Sequence, residues 1–285
     1  MATKKTTKPK AKTKKAIAKT ASIKAVPAGS IKAFNSLKKL NILLAVVFAA
    51  QAVAILVMSK AVYQPIVSHF LAPDTLVSKG AGHTVYALAV RHLFDINLVW
   101  LVAGFLLVSA IFHAVIATKE RSHYEADLAR GVNGLRWLDY SISASIMLVT
   151  IGLLNGIYDV STLIAIVVLV KLLHLLGYFG ETNAVNIKAK WLSFIGLLAA
   201  GGAVWVAIGA NLKSAVIYGS GLPQAVYWID GILFAITVLL ALNTLMVFKA
   251  KNRWADYLYG ERIYMALSFL AKTGLAWLIF AGFLR

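Results

Sequence analysis

The chain has 285 residues, 60% of them hydrophobic and only 14% charged, with a mean hydropathy of +0.77. That balance lies far outside soluble domains and points to a bilayer as solvent. Lys and Arg outnumber Asp and Glu 29 to 11, a formal charge of +18, and there is no cysteine, which excludes disulfides, thiolate nucleophiles and cysteine-based metal sites.

Residues 1–39 hold twelve Lys and no acid. They lack the apolar core of a secretory signal and read as a disordered, Lys-rich cytoplasmic tail. The favoured role is a topogenic arm that binds anionic lipid, each Lys near the surface adding about 1 kcal/mol. A nucleic-acid arm is the less favoured reading, because phosphate neutralisation needs such Lys density but no aromatic or Arg residues interleave it.

From residue 40 onward the chain reads as one domain, 40–285. Apolar runs fall at 40–58, 85–117, 137–154, 163–179, 191–212, 225–248 and 263–284, each long enough to cross ~30 Å at helical rise. The fold class is an all-α membrane protein, a bundle of seven transmembrane helices. Residues 59–84 contain Pro65, Pro73, Gly80 and Gly82 and are too broken to span, so an ordered extramembrane loop or short hairpin is expected there. No repeat at a solenoid period is present.

Orientation follows the cations. An N-terminus in the cytoplasm assigns 22 of the 29 Lys and Arg to that side, and without the tail the loops still favour it ten to five, so the C-terminus is expected outside the cell.

The seventh run contains Lys272. A lone ammonium at that depth costs several kcal/mol and marks a functional site, and a desolvated amine condenses readily with an aldehyde to a Schiff base. With retinal as the aldehyde, the chain is a photoreceptor. A partner carboxylate at matching depth is then required. Lys272 lies 13 residues from Arg285, roughly 20 Å at helical rise. Asp139 lies 15 to 16 residues from Asn155 and Gly156, roughly 23 Å, so the two are level. This geometry requires the third helix to begin well before Trp137, with 125–136 helical and shielded. Arg136 is then either a second buried charge or an interfacial snorkelling side chain.

The stretch Arg136-Trp137-Leu138-Asp139-Tyr140-Ser141-Ile142-Ser143-Ala144-Ser145 resembles the third-helix signature of heliorhodopsins, microbial-type rhodopsins of inverted membrane topology. So do Trp254-Ala255-Asp256-Tyr257-Leu258-Tyr259-Gly260-Glu261-Arg262, Leu267-Ser268-Phe269-Leu270-Ala271-Lys272 and Ala276-Trp277, and a weaker likeness runs from Leu37 to the C-terminus. The inverted orientation, reached above from charge alone, agrees with that family.

The resemblance implies all-trans retinal on Lys272 and a counterion at Asp139, where the family usually carries Glu. Ser268, one turn before Lys272, is placed to hydrogen-bond the Schiff base. Ser141, Ser143 and Ser145 are expected along the polar side of the pocket, and Trp137 and Tyr140 beside the polyene; for Ser143 and Ser145, back-bonding to the preceding turn is an equal alternative. His113 matches a histidine of the family's buried polar cavity, whose usual companion corresponds here to Phe48. Trp205 and Trp277 are ring-sandwiching candidates, with interface packing as the competing account. Asn243 is read as an interhelical hydrogen-bonding group, in contact with retinal or not. Gly177, Gly201 and Gly202 leave room near a bulky ring or let helices approach closely, and a carotenoid beside Gly201 and Gly202 is left open. Lys171 and His174, three apart in the fourth run, depart from the family's apolar pattern; a structural or spectral-tuning role is favoured over a proton path.

Sustained pumping needs carboxylates on both sides of the Schiff base. Asp95, Asp159 and Asp230 toward the outside and Glu181 toward the cytoplasm all lie near run ends, and no mid-helix acid separates Lys272 from the cytoplasmic loops. The expected function is therefore light sensing by a non-enzymatic, plasma-membrane photoreceptor. A slow photocycle is expected, with isomerisation to 13-cis moving the Schiff base away from Asp139 and the signal passing to a cytoplasmic partner or the tail. A light-driven or light-gated ion transporter is the alternative, and a chromophore-free scaffold a third reading. A homodimer is implied by the resemblance.

Overall fold

A computed structural model describes residues 28–183 and 186–285. Within them, seven helices are long and apolar enough to cross a membrane. They are α1 (Ala28–Met58), α3 (Leu98–Ala117), α5 (Gly134–Leu154), α6 (Val160–Thr182), α7 (Ile187–Tyr218), α8 (Gln224–Lys249) and α9 (Tyr257–Ile279), the last continued by a π-helical turn, Phe280–Leu284. The shorter α2 (Thr75–Ala81) and α4 (Arg121–Ala129) lie between spans. Helices α1 and α3 pack together, then α3 on α5, α5 on α6 and α6 on α7, while α9 packs on α8 and reaches α1 and α3. A backbone hydrogen bond from Lys60 to Leu284 (2.7 Å) ties the end of the last span to the chain just beyond the first.

Three boundaries differ from the sequence expectation. Helix α1 begins at Ala28 rather than near residue 40, so residues 28–39, assigned above to the tail, are helical; the tail reading otherwise falls on residues 1–27, outside the described residues. Lys32, Lys38 and Lys39 are carried on this first stretch without ending it, because Lys is a good helix former and tolerates an exposed helix surface.

The second run does not become helical at residue 85. Its first part forms β2 (Tyr86–Asn97), antiparallel to β1 (Tyr63–Pro73), with a bulge at Ile66/Val67 opposite Leu93. Arg91, His92, Asp95 and Asn97 make this stretch unfit for hydrocarbon, and a span needs only about 20 residues. Asn97 caps the remaining helix by accepting from the Val99 amide (3.0 Å). At the far end of the ribbon, Asp74 accepts from the Leu76 and Val77 amides, each at 3.0 Å, to cap α2. Two strands alone are marginal in water. These are anchored where the Val67 amide donates to the Tyr158 carbonyl (2.9 Å), the Asp159 carboxylate accepts from His69, and Ile66 is buried.

The third helix does not extend continuously back through residue 125. Helix α4 stops at Ala129, Gly131 takes φ 76°, and α5 starts at Gly134 with Asn133 as its cap, accepting from the Arg136 amide (3.0 Å). The positive φ at Gly131 is what glycine supplies without steric cost. The short α4 is itself partly shielded, with Tyr124 and Leu128 buried, although the helix is interrupted.

Candidate functional site

Helix α9 carries Lys272 inward and α5 carries Asp139 toward it. The Lys272 Nζ donates to Asp139 Oδ2 at 2.9 Å, and both side chains are almost completely buried. Asp139 is only six residues past its cap, Asn133, yet its depth matches because the end of the bundle folds over it. Ser109 on α3 donates to the other carboxylate oxygen, Oδ1, at 2.8 Å. Ser109 was missed at the sequence level. The signal available was its place four residues before His113, hence on the same helix face, within an otherwise apolar run.

Beside this pair opens an apolar cleft of about 540 Å³ lined by Lys272, Ser268, Tyr140, Ser143, Met147 and Trp205 among others. It continues into a second cleft of about 960 Å³ that includes Trp137, Gly201, Gly202 and Phe234. Ser268 Oγ is buried with no partner within the protein, a hydroxyl left for something in the cleft beside the lysine. Ser143 lines the cleft, although its hydroxyl is turned back to the Asp139 carbonyl (2.8 Å). Tyr140 lies under Lys272, Nζ to ring 5.0 Å, and donates to the Tyr264 carbonyl at 2.8 Å. Trp205 meets Phe234 edge to face at 5.3 Å on the cleft wall.

Other expected site residues lie elsewhere. Trp277 points toward α1, its indole donating to Gln51 (3.1 Å), and does not line the cleft; five residues past Lys272 is more than one helical turn, which rotates it off the lysine's face. Asn243 joins α8 to α9, donating to the Gly260 carbonyl (3.0 Å) and accepting from Trp254 (2.8 Å), and likewise leaves the cleft. Gly177 faces no cavity: a Cβ there would come within 2.4 Å of the Trp137 ring, so the glycine seats the indole. Ser141 and Ser145 lie off the Asp139 face, Ser145 bonding back to the Ser141 carbonyl (2.7 Å), while Ser141 opens onto an outer cleft between α5 and α6. Lys171 shares that outer cleft, is exposed, and does not border the inner one. His174 is buried and borders both, its Nδ1 at 2.7 Å from the Val170 carbonyl.

Toward the end of the bundle away from the hairpin, the pair gives onto a small polar cavity bounded by His113, Asn41, Tyr124, Asn133, Arg136 and Glu261. His113 Nδ1 is 2.7 Å from Asn41 Oδ1, and its ring stacks on Phe48 at 5.7 Å. Phe48, at the second-histidine position, therefore contributes a face and no proton site. Arg136 is buried rather than snorkelling. It bridges Glu181 and Glu261, and its guanidinium lies 4.0 Å over the Tyr264 ring. Asn133 donates to Glu261 (2.7 Å) and Trp137 to Glu181 (2.7 Å). Glu261 lay inside the motif quoted above and Glu181 near a run end; neither could be paired with Arg136 without three-dimensional proximity.

Seven spans around a buried lysine–carboxylate pair are the architecture of rhodopsins. Across 90% of the chain the fold is similar to the transmembrane domain of Salpingoeca rosetta rhodopsin phosphodiesterase, of which it covers 89% (TM-score 0.60, 15% identity). It is also similar to a light-driven proton pump from Leptosphaeria maculans, covering 90% of this chain and 96% of that one (TM-score 0.53, 13% identity). Likeness at such identities speaks for fold alone. Residues 37–284 match the heliorhodopsin family model, and the chain belongs to that family. No curated protein matches the sequence. Family membership implies a multi-pass membrane protein with a retinal chromophore, and the orphan Ser268 hydroxyl and apolar cleft beside Lys272 suit that group.

Proposed function

We propose that this protein is a light sensor that holds all-trans retinal on Lys272 as a protonated Schiff base, with Asp139 as counterion. The single observation that carries the reading is the buried 2.9 Å contact between these two side chains at the wall of an apolar cleft. Bound there, retinal supplies a polyene that absorbs visible light and changes shape at the lysine. The protein's share is electrostatic: Asp139 balances a positive charge that would otherwise be costly at this depth, and Ser109 fixes the carboxylate's orientation through Oδ1. Ser268 offers a hydroxyl one turn from Lys272, and Trp205 and Tyr140 wall the cleft against water.

A proton leaving this pair has the polar cavity of His113, Asn41 and Tyr124 before it. Beyond that, Glu181 and Glu261 are both engaged by Arg136, so neither of these buried acids stands ready as a free acceptor. This supports signalling with a slow photocycle over sustained pumping. The proposal includes an N-terminus in the cytoplasm of a plasma-membrane protein, a homodimer, and a cytoplasmic signalling partner. The decisive experiment adds retinal to the purified apoprotein: wild type is expected to gain a hydroxylamine-bleachable visible band and Lys272→Ala to gain none. A covalently bound pigment in Lys272→Ala overturns the assignment, and a light-induced photocurrent that persists under continuous illumination overturns the sensory reading.

A further inference from the structure

The cleft between α5 and α6 is separate from the one beside Lys272 and opens on the outside of the bundle. It is an open groove lined by Lys171, Ser141, Trp137, Tyr178 and His174 with apolar neighbours. Lys171 is its one cationic residue, and its position is the anomaly. It lies 11 residues from Val160 and 11 from Thr182, the two ends of α6, roughly 17 Å from each at helical rise. A side chain at that depth is too far from either surface to snorkel, and an uncompensated ammonium in hydrocarbon costs several kcal/mol.

Among the described residues no ion pair includes Lys171. Asp159 and Glu181, the acids nearest the two ends of its own helix, are engaged by Thr162 and His69 and by Arg136 and Trp137. The depth of Lys171 points to a partner dissolved in the bilayer.

We propose that this cleft binds the carboxyl group of a free long-chain fatty acid, with Lys171 as its cation, Ser141 beside it, and the alkyl chain against Leu138 and Leu175. A phospholipid phosphate is held in the headgroup layer, beyond the ~30 Å core, and does not reach the middle of α6. A free acid does: it carries no headgroup beyond its carboxyl, so its carboxylate can sit at the ammonium in the middle of the span and form an ion pair of zero net charge. Charge-assisted hydrogen bonds of this kind are the strong ones. Trp137 and His174 border both this cleft and the inner one, so an occupant is felt on the far side. The site stands on Lys171 and its depth and does not depend on retinal.

The test uses the full chain in nanodiscs of uncharged phosphatidylcholine, titrated with oleic acid and read by native mass spectrometry. One saturable adduct is expected in wild type, at least tenfold weaker in Lys171→Met and retained in Lys171→Arg, with methyl oleate and phosphatidylglycerol failing to compete. Equal binding of oleate to Lys171→Met overturns the proposal, as does equal binding of methyl oleate to wild type, a comparison that needs no variant. Cross-linking of Lys171 to a second copy that excludes oleate would assign the cleft to an interface instead.

Discussion

Ser109 Oγ and Lys272 Nζ grip opposite oxygens of one carboxylate, at 2.8 Å and 2.9 Å, so Asp139 is held from α3 and α9 at once. Removing the serine leaves Oδ1 buried and unsatisfied, which costs about 1–3 kcal/mol. Ser109→Ala is expected to lower the thermal midpoint in detergent accordingly and to shift the visible absorption maximum of the retinal-loaded protein. An unchanged spectrum would remove Ser109 from the environment of the chromophore.

Arg136 stands as the cation between two buried carboxylates, Glu181 and Glu261. Taking it away strands both, and breaking a buried pair costs about 3–5 kcal/mol. Arg136→Met is expected to unfold at markedly lower denaturant, and the triple variant Arg136→Met, Glu181→Gln, Glu261→Gln to recover much of the loss. Equal stability of the single and triple variants would show that charge is not the cause.

Gly177→Ala drives a methyl into the Trp137 ring, at 2.4 Å without rearrangement, whereas Gly202→Ala meets nothing within 4 Å. Overpacking costs about 1–3 kcal/mol. Denaturation of the two variants side by side is expected to show a loss only in the first.

Trp205 borders the inner cleft and Trp277 does not. Trp205→Phe is expected to move the absorption maximum, and Trp277→Phe to leave it in place while weakening the contact between α1 and α9. A larger spectral shift in Trp277→Phe would contradict the placement of the cleft.

At the foot of the hairpin, the Thr162 amide and, after it, His69 hold the Asp159 carboxyl below the usual carboxylate range. A depressed folded-state value means that Asp159 contributes stability above its unfolded value and loses it as pH falls through the folded one. Protection of the β1 amides against hydrogen exchange, taken relative to the intrinsic rate at each pH, is therefore expected to fall as the medium is acidified from about pH 5 downward. Asp159→Asn, still able to cap α6, is expected to fold at neutral pH and lose that acid dependence.

Much of this was legible in the sequence because hydrocarbon imposes few solutions. Apolar length alone marks the seven spans, and counting residues inward from helix ends brought Lys272 level with Asp139. Length could not separate strand from helix in the second run, where the apolar residues of β2 run on into α3. Nor could it show rotation about a helix axis. Trp277, Gly177 and Ser141 have the right depth or neighbourhood in sequence and face the wrong way, and Asn243 is taken up by Gly260 and Trp254. Ser109, Glu181 and Glu261 come from three different helices, and their convergence on α5 is a property of packing that no local pattern carries.

Asn133 is both the cap of α5 and a ligand of Glu261, and it stands six residues, roughly 9 Å, from Asp139. Asp139 thus rides on a short cantilever clamped at its root. A displacement at Asp139 would have almost no length of helix over which to bend away, and would be felt at the root as torque on the Arg136 knot, at the rim of the bundle.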